Sequence, residues 1–394
     1  MMTPEQELLL RCTEPPGHDG IAGLVALLDR ERIDWSAFVQ FAALQGLGPV
    51  VYRRLRTCCP DRIPVKEMER LRVLHFANSA RTLFHTRVLG AILSRMESCG
   101  VRAIPFKGPV LAAQIYGDAN LRVSNDIDIL VRRRDARAAT EALAPLGFRP
   151  ECGLGGAQGA ALLCFYCELG LSRPDDGTLV EIQWALVPWH YGFKWDFPDA
   201  FDRASTVKAD GAVFPALPPE ELLLALCIHG TKHRWERLLW VCDVAWLVSS
   251  EKDLDWDRAL SIASAAGGLG ALFLGLRLAR DFFRVDLPDG VRSRVRTGPG
   301  LDRLVGEVRR HLFEEGAMPS TLPVKMLFFL RARERRMDRI AFAVKTLLNA
   351  FLVVRRPVEM PRSLMPLYFM TRPLSLAAKH GIPILARHAG RSTA

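Results

Sequence analysis

The chain has 394 residues, 49% of them hydrophobic and 24% charged, the balance of a globular protein with a sizeable core. Its formal charge is +10, but the excess is local: from Lys325 to Arg391 there are 14 Lys and Arg against three acids, and the rest sums to −1. This excludes a body-wide nucleic-acid surface and points to one anionic contact, a membrane surface or an acidic partner, at the C-terminal segment.

The N-terminal "MMTPEQELLL" lacks a basic region leading into an apolar core, so no secretory signal is expected. No transmembrane segment is expected either; the nearest run, at 340–354, is short and carries Lys345 and Asn349. Nine cysteines, an odd number and scattered, fit a reducing, cytoplasmic setting better than a disulfide scaffold.

Residues 1–98 are expected to form a helical region, with apolar residues at helical spacing and prolines at 15, 16, 49, 60 and 64 between elements. The pattern changes at Gly100. "VRAIPF" reads as a strand, Lys107-Gly108-Pro109 as a turn opening a helix, "DIDILV" as a second strand, and "DARAATEALAPLG" as a helix ended by Gly147. "GLGGAQG" at 153–159 imitates a dinucleotide fingerprint without its spacing and reads as a loop. "ALLCFYCEL" and "TLVEIQWAL" read as strands around the turn "SRPDDG". Cys164 and Cys167 form a lone C-x-x-C inside the first, with no second pair to complete a zinc site.

Residues 99–215 are thus an α+β core with a small mixed sheet. A helical domain at 216–355 is expected to close its cleft, with "EELLLALCIHGTKHRWERLLWVCDVAWLV" as one helix. Residues 356–394 form a proline-broken basic and apolar tail.

The chemistry concentrates at "RVSNDIDILV". Asp126 and Asp128 share one side of an apolar strand, with Cα atoms about 6.5–7 Å apart. Two like charges there repel, and burying them unpaired is costly. A divalent cation offsets that cost; Mg²⁺ suits the pair, with Mn²⁺ as a substitute, and two ions could serve an in-line displacement at phosphorus. Glu181, between Val180 and Ile182, is the candidate third acid if its strand lies beside the aspartates. Lys107-Gly108 stands at a strand-to-helix junction suited to phosphate, and Arg122 and Ser124 flank the aspartates as further phosphate contacts. His229 and His233 share a helix face beside Lys232, a face that could cover a nucleotide; a zinc site there lacks the acid of a His-Glu-x-x-His motif.

"FKGPVLAAQIYGDANLRVSNDIDILV" resembles the nucleotidyltransferase-fold superfamily, and within it the branch with Lys-Gly at the turn. The likeness extends to "HGTKHRWERLLWVCDVAWLV" and to "MPRSLMPLYFMTRPLSL". It implies an NTP substrate, Asp126, Asp128 and Glu181 as metal ligands, Gly108 as the phosphate-turn glycine, and Glu181 orienting or deprotonating an acceptor hydroxyl. Two departures stand out. The turn has neither Gly-Ser nor Gly-Gly, and the third acid reads Glu181-Ile182-Gln183 where the branch often has Asp-x-His.

The expected activity is Mg²⁺-dependent transfer of an NMP to an unknown acceptor. Alternatives are a non-catalytic nucleotide-binding regulator on the same fold, or an Asp-x-Asp glycosyltransferase. The latter builds a nucleotide-binding βαβ unit before its motif, where this chain has about 100 mainly helical residues.

Overall fold

The computed structural model describes residues 2–352 apart from 17–19, 155, 195–197, 296–298 and 315–321. Five helices come first: α1 (Pro4–Thr13), α2 (Gly20–Arg30), α3 (Trp35–Leu44), α4 (Gly48–Cys58) and α5 (Val65–Ser98). Thr3 and Gln6 cap α1 reciprocally, and the Asp34 side chain caps α3, each supplying an acceptor for otherwise orphaned N–H groups.

The mixed part follows: β1 (Ala103–Pro105), α6 (Gly108–Tyr116), β2 (Ile127–Val131), α7 (Ala136–Leu143), β3 (Arg149–Pro150), α8 (Gly156–Phe165), β4 (Glu168–Arg173), β5 (Thr178–Gln183), α9 (Pro198–Asp202) and the β6 (Ser205–Ala209)–β7 (Ala212–Ala216) hairpin. One sheet has the order β1-β2-β5-β4-β3; β2 and β5 run parallel and its other neighbours antiparallel. Helices then return: α10 (Pro219–Lys232), α11 (Leu238–Ser250), α12 (Trp256–Ala266), α13 (Leu269–Phe283), α14 (Asp289–Val295), α15 (Pro299–Phe313), α16 (Leu322–Arg331) and α17 (Arg336–Leu352). The expected α+β class is what the chain adopts.

Strand alternation divides the sheet's two faces. Ile127, Ile129, Val180 and Ile182 join a core with Leu89 and Ile92 of α5 and Leu143 of α7. Leu130 of β2 belongs to a second core that unites N-terminal residues such as Leu8 and Val51 with Leu224, Trp246 and Leu272 of the later helices. The first helices and the last therefore wrap one apolar interior.

Three expectations are corrected. "ALLCFYCEL" is not a strand: its first half is α8, built from good helix formers Ala and Leu, and Cys167 stands just before β4. Both cysteines are free, Cys164 exposed and Cys167 buried. The supposed loop at 153–159 turns helical from Gly156. The long helix after residue 219 is broken between Lys232 and Leu238, where Arg234 and Trp235 take φ values of 55° and 56°. The break lets Trp235 bury itself fully: a Cβ on Gly230 would lie 2.6 Å from its ring, and one on Gly275 3.1 Å away. Glycines on two helices make its slot, while the left-handed residues themselves are not glycine. The tail at 356–394, with "MPRSLMPLYFMTRPLSL", lies outside the described residues.

Because of that break, Asp243 sits on α11 rather than on the helix of His229. It meets Arg122 through three N–O contacts of 3.1 Å and accepts a hydrogen bond of 2.9 Å from Tyr116 Oη. Both ionic partners are buried. Asp243→Ala leaves the guanidinium without a counter-charge and is expected to cost about 3–5 kcal/mol, read from urea unfolding. The double replacement Arg122→Met with Asp243→Leu should recover most of that loss, since it removes both charges at once. A single-variant cost below about 1 kcal/mol, as for a solvated pair, would contradict the assignment.

Candidate active site

Strand β1 hands over to α6 through Phe106 and Lys107. Gly108 turns the chain with φ of 62°, in the left-handed region that favours glycine. Space is not the constraint, because a Cβ there would meet Ser124 Oγ at an ordinary 3.5 Å. Pro109 occupies the first helical turn, where its missing N–H costs nothing to the helix.

The segment that carries Asp126 is held from α5. Asn78 Nδ2 donates to the carbonyls of Asn120 (2.8 Å) and Arg122 (3.3 Å), and Arg81 Nη1 donates to Asn125 Oδ1 (2.8 Å). Ser124 Oγ donates to the carbonyl of Asp126 at 2.9 Å. Parallel pairing of β2 with β5 then sets Asp128 directly opposite Glu181. One carboxylate oxygen from each of Asp126, Asp128 and Glu181 lies within 4.8 Å of the others. The expected convergence of the three acids is present.

Two donors serve this cluster. Lys107 Nζ reaches Asp128 Oδ1 at 2.8 Å, and Gln183 Nε2 donates to both Asp128 Oδ1 (2.7 Å) and Glu181 Oε2 (2.9 Å). Asp128 Oδ2 is buried and has no hydrogen-bond partner, an unfavourable state for a carboxylate oxygen. Burial, then the neighbouring Asp128 carboxylate, raises the Asp126 pKa and lifts that of Glu181 to about 7. Three carboxylates facing a single contacting ammonium thus leave negative charge in excess. The all-oxygen donor set and the orphaned Oδ2 fit a hard divalent cation.

Lys107, Asp126, Asp128 and Glu181 line a cavity of about 730 Å³ together with Arg122, Ser124, His229, Lys232 and His233. Lys232 Nζ lies 3.6 Å from Glu168 Oε2. Burial works against its ammonium, but Cys167, Glu168 and Glu181 outweigh that and raise its pKa. His229 and His233 have ring centroids 4.7 Å apart, and each lies within 5.3 Å of the Trp240 ring. Burial first, then nearby lysines, keeps both imidazoles neutral, His233 with a pKa of about 4 and His229 well below its usual value. Arg122, read as a phosphate contact, lines the cavity, and its guanidinium is paired with Asp243.

Sequence reasoning missed Gln183 as a working residue, although its position two places after Glu181 puts it on the same strand face. It also missed Glu168, which arrives through the misread β4, and Trp240, which is half-buried, packs against the core and lines the cavity.

Gln183→Ala removes the shared donor between two carboxylates. Mn²⁺ affinity, followed by electron paramagnetic resonance, is expected to fall about tenfold or more, the usual cost of losing a group that orients metal ligands. An unchanged affinity would show that the two acids hold their places unaided. The histidines provide a separate readout. Unfolded, His233 takes up a proton near pH ~6.5; folded, it does so only near 4. Below the unfolded value the unfolded state binds the extra proton, so this contribution to stability is present above about pH 6.5 and is lost as pH falls through about 4. Urea midpoints measured from pH 7 to 4 should decline less steeply in His233→Gln, and parallel curves would refute the burial assignment.

The family described as "uncharacterised nucleotidyltransferase" matches residues 31–284, from the end of α2 to just past α13. No curated protein matches the chain. A solved structure, an antigenic nucleotidyltransferase-like protein from Paracoccidioides brasiliensis, is similar over 48% of this chain and 91% of its own, with 18% identity and a TM-score of 0.29. That likeness is too slight to carry an argument; the family match covers the glycine turn, all three acids and the helices that roof the cavity. The chain belongs to the uncharacterised nucleotidyltransferase family.

Proposed function

We propose that the protein transfers an NMP from an NTP to an acceptor hydroxyl or phosphate, with Asp126, Asp128 and Glu181 holding Mg²⁺. One observation carries this reading: Asp126, Asp128 and Glu181 bring carboxylate oxygens within 4.8 Å of one another at a cavity that all three line, and Asp128 Oδ2 is left without a hydrogen-bond partner. Bound there, one or two Mg²⁺ ions would neutralise triphosphate charge and stabilise charge developing at the α-phosphorus.

The remaining work falls to the chain. Lys107 and Lys232 line the same cavity and supply positive charge that attracts the triphosphate. Gly108 lets phosphate approach the turn closely, and the Ser124 hydroxyl offers a further donor. Glu181, with its carboxyl raised to about 7, is poised to orient the acceptor and take its proton. His229 and His233, neutral beside Trp240, present an uncharged aromatic wall suited to a base or an uncharged acceptor.

A second reading, nucleotide binding without turnover, draws on the Lys107–Asp128 ion pair, which already neutralises one metal ligand. The glycosyltransferase reading lacks support, since every described element before Ala103 is helical.

Titration with a fluorescent ATP analogue, with and without Mg²⁺, tests the site. Binding is expected to require Mg²⁺ and to be lost in Asp126→Asn. Pyrophosphate release, screened over the four NTPs with fractionated cell extract as acceptor source, is expected to fall about 10²–10³-fold in that variant. Mg²⁺-dependent binding with no release in any fraction would favour the second reading. Equal nucleotide binding by wild type and Asp126→Asn would refute the metal-dependent transfer reading.

A further inference from the structure

The transferase reading leaves α17 unused. Its inner side is attached to the body. Phe342 is buried, with its ring 6.0 Å from that of Phe329 and 6.3 Å from that of Tyr191, and Trp189 Nε1 donates to Asn349 Oδ1 at 3.2 Å. Its outer side is apolar and bare. Met337, Ile340, Val344, Leu347 and Leu348 are 71%, 57%, 48%, 59% and 43% exposed. At 100° per residue they fall within one arc of about 100° along a helix about 25 Å long.

The charge around this arc has one sign. Arg336 borders it on one edge and Lys345 on the other, and Arg336 has no ion-pair partner among the described residues. The single acid of the helix, Asp338, turns inward: its Oδ2 would lie 3.9 Å from a Cβ on Gly267. The sequence beyond, residues 353–394, adds seven Lys and Arg and one acid. No described helix is long and apolar enough to cross a membrane. A second copy of the chain would bring like charges face to face, which disfavours self-association through this surface.

We infer that α17 docks the protein onto an anionic lipid bilayer. The helix lies in the plane of the surface, its five exposed apolar side chains enter the boundary between headgroups and acyl chains, and Arg336 and Lys345 meet lipid phosphates. The partner is the shared chemistry of an acidic phospholipid surface, not a particular lipid.

The test is flotation of the full-length protein with vesicles of phosphatidylcholine alone or with 30% phosphatidylglycerol, in low and high salt. The protein is expected to float with the anionic vesicles, weakly or not at all with the neutral ones, and less at 0.5 M NaCl. Ile340→Glu with Leu347→Glu should lower vesicle partitioning about tenfold or more, given about 0.8 kcal/mol for each buried methylene. Both positions are exposed, so an unchanged circular dichroism spectrum is expected and reports folding directly. Failure to float with either vesicle, or flotation unaltered in the double variant, would overturn the inference. So would a light-scattering mass of two chains that the double variant halves, which would assign the face to self-association. None of these outcomes bears on Mg²⁺-dependent nucleotide binding, so the two proposals stand or fall separately.

Discussion

Parallel pairing of β2 with β5 puts a carboxylate opposite a carboxylate in the interior of a sheet. Asp128 and Glu181 are register partners, and Asp126 stands two residues before the first of them. A sheet face does not tolerate this on its own, because like charges directly opposite are destabilising and the surroundings are poor in water. The apolar alternation of both strands overrides the cost. Ile127, Ile129, Val180 and Ile182 must face the α5–α7 core, and with a side-chain period of two the acids have no face left but the other. The strain this places on the cluster appears in the raised pKa values of Asp126 and Glu181 and in the partnerless Asp128 Oδ2.

Much of the surrounding structure answers that excess of negative charge. Lys107 arrives from the strand-to-helix turn, Gln183 from the same strand as Glu181, and Lys232 from the end of α10. The half-buried histidines at that helix end are held neutral, so no imidazolium would compete with a cation for the same carboxylates. The excess that remains is what a divalent ion would neutralise. Burial thus favours affinity: a cation held there would relieve the energy cost of the unsatisfied carboxylates.

The Arg122–Asp243 pair links this region to the helical roof. Arg122 opens the segment that presents Asp126, and Asp243 sits on α11, beyond the break at Arg234 and Trp235. A straight helix through this region would have pointed Asp243 elsewhere. The cost of two non-glycine residues in the left-handed region is offset by burying Trp235 completely between α10 and α13. One side chain's packing therefore decides where the acid that anchors the Asp126 segment comes to rest.

The linear pattern was enough for the acidic strand, the glycine turn, the later acid and the α+β class, because each is written in local alternation or in a residue with a special φ. Side-chain period and backbone sterics act over two to four residues and need no partner. What the chain could not announce were relations between distant segments. The pairing of Arg122 with Asp243 was not legible, and Gln183 looked like a mere departure until its amide bridged two acids. The break after Lys232 carries neither glycine nor proline at its left-handed positions; it exists because a tryptophan fits a slot made by glycines on two helices. The bare side of α17 was also undetectable, since amphipathic spacing shows that a helix has an apolar side but not whether anything covers it. Burial, charge pairing and exposure belong to pairs of surfaces, and those are settled when segments far apart in the chain pack together.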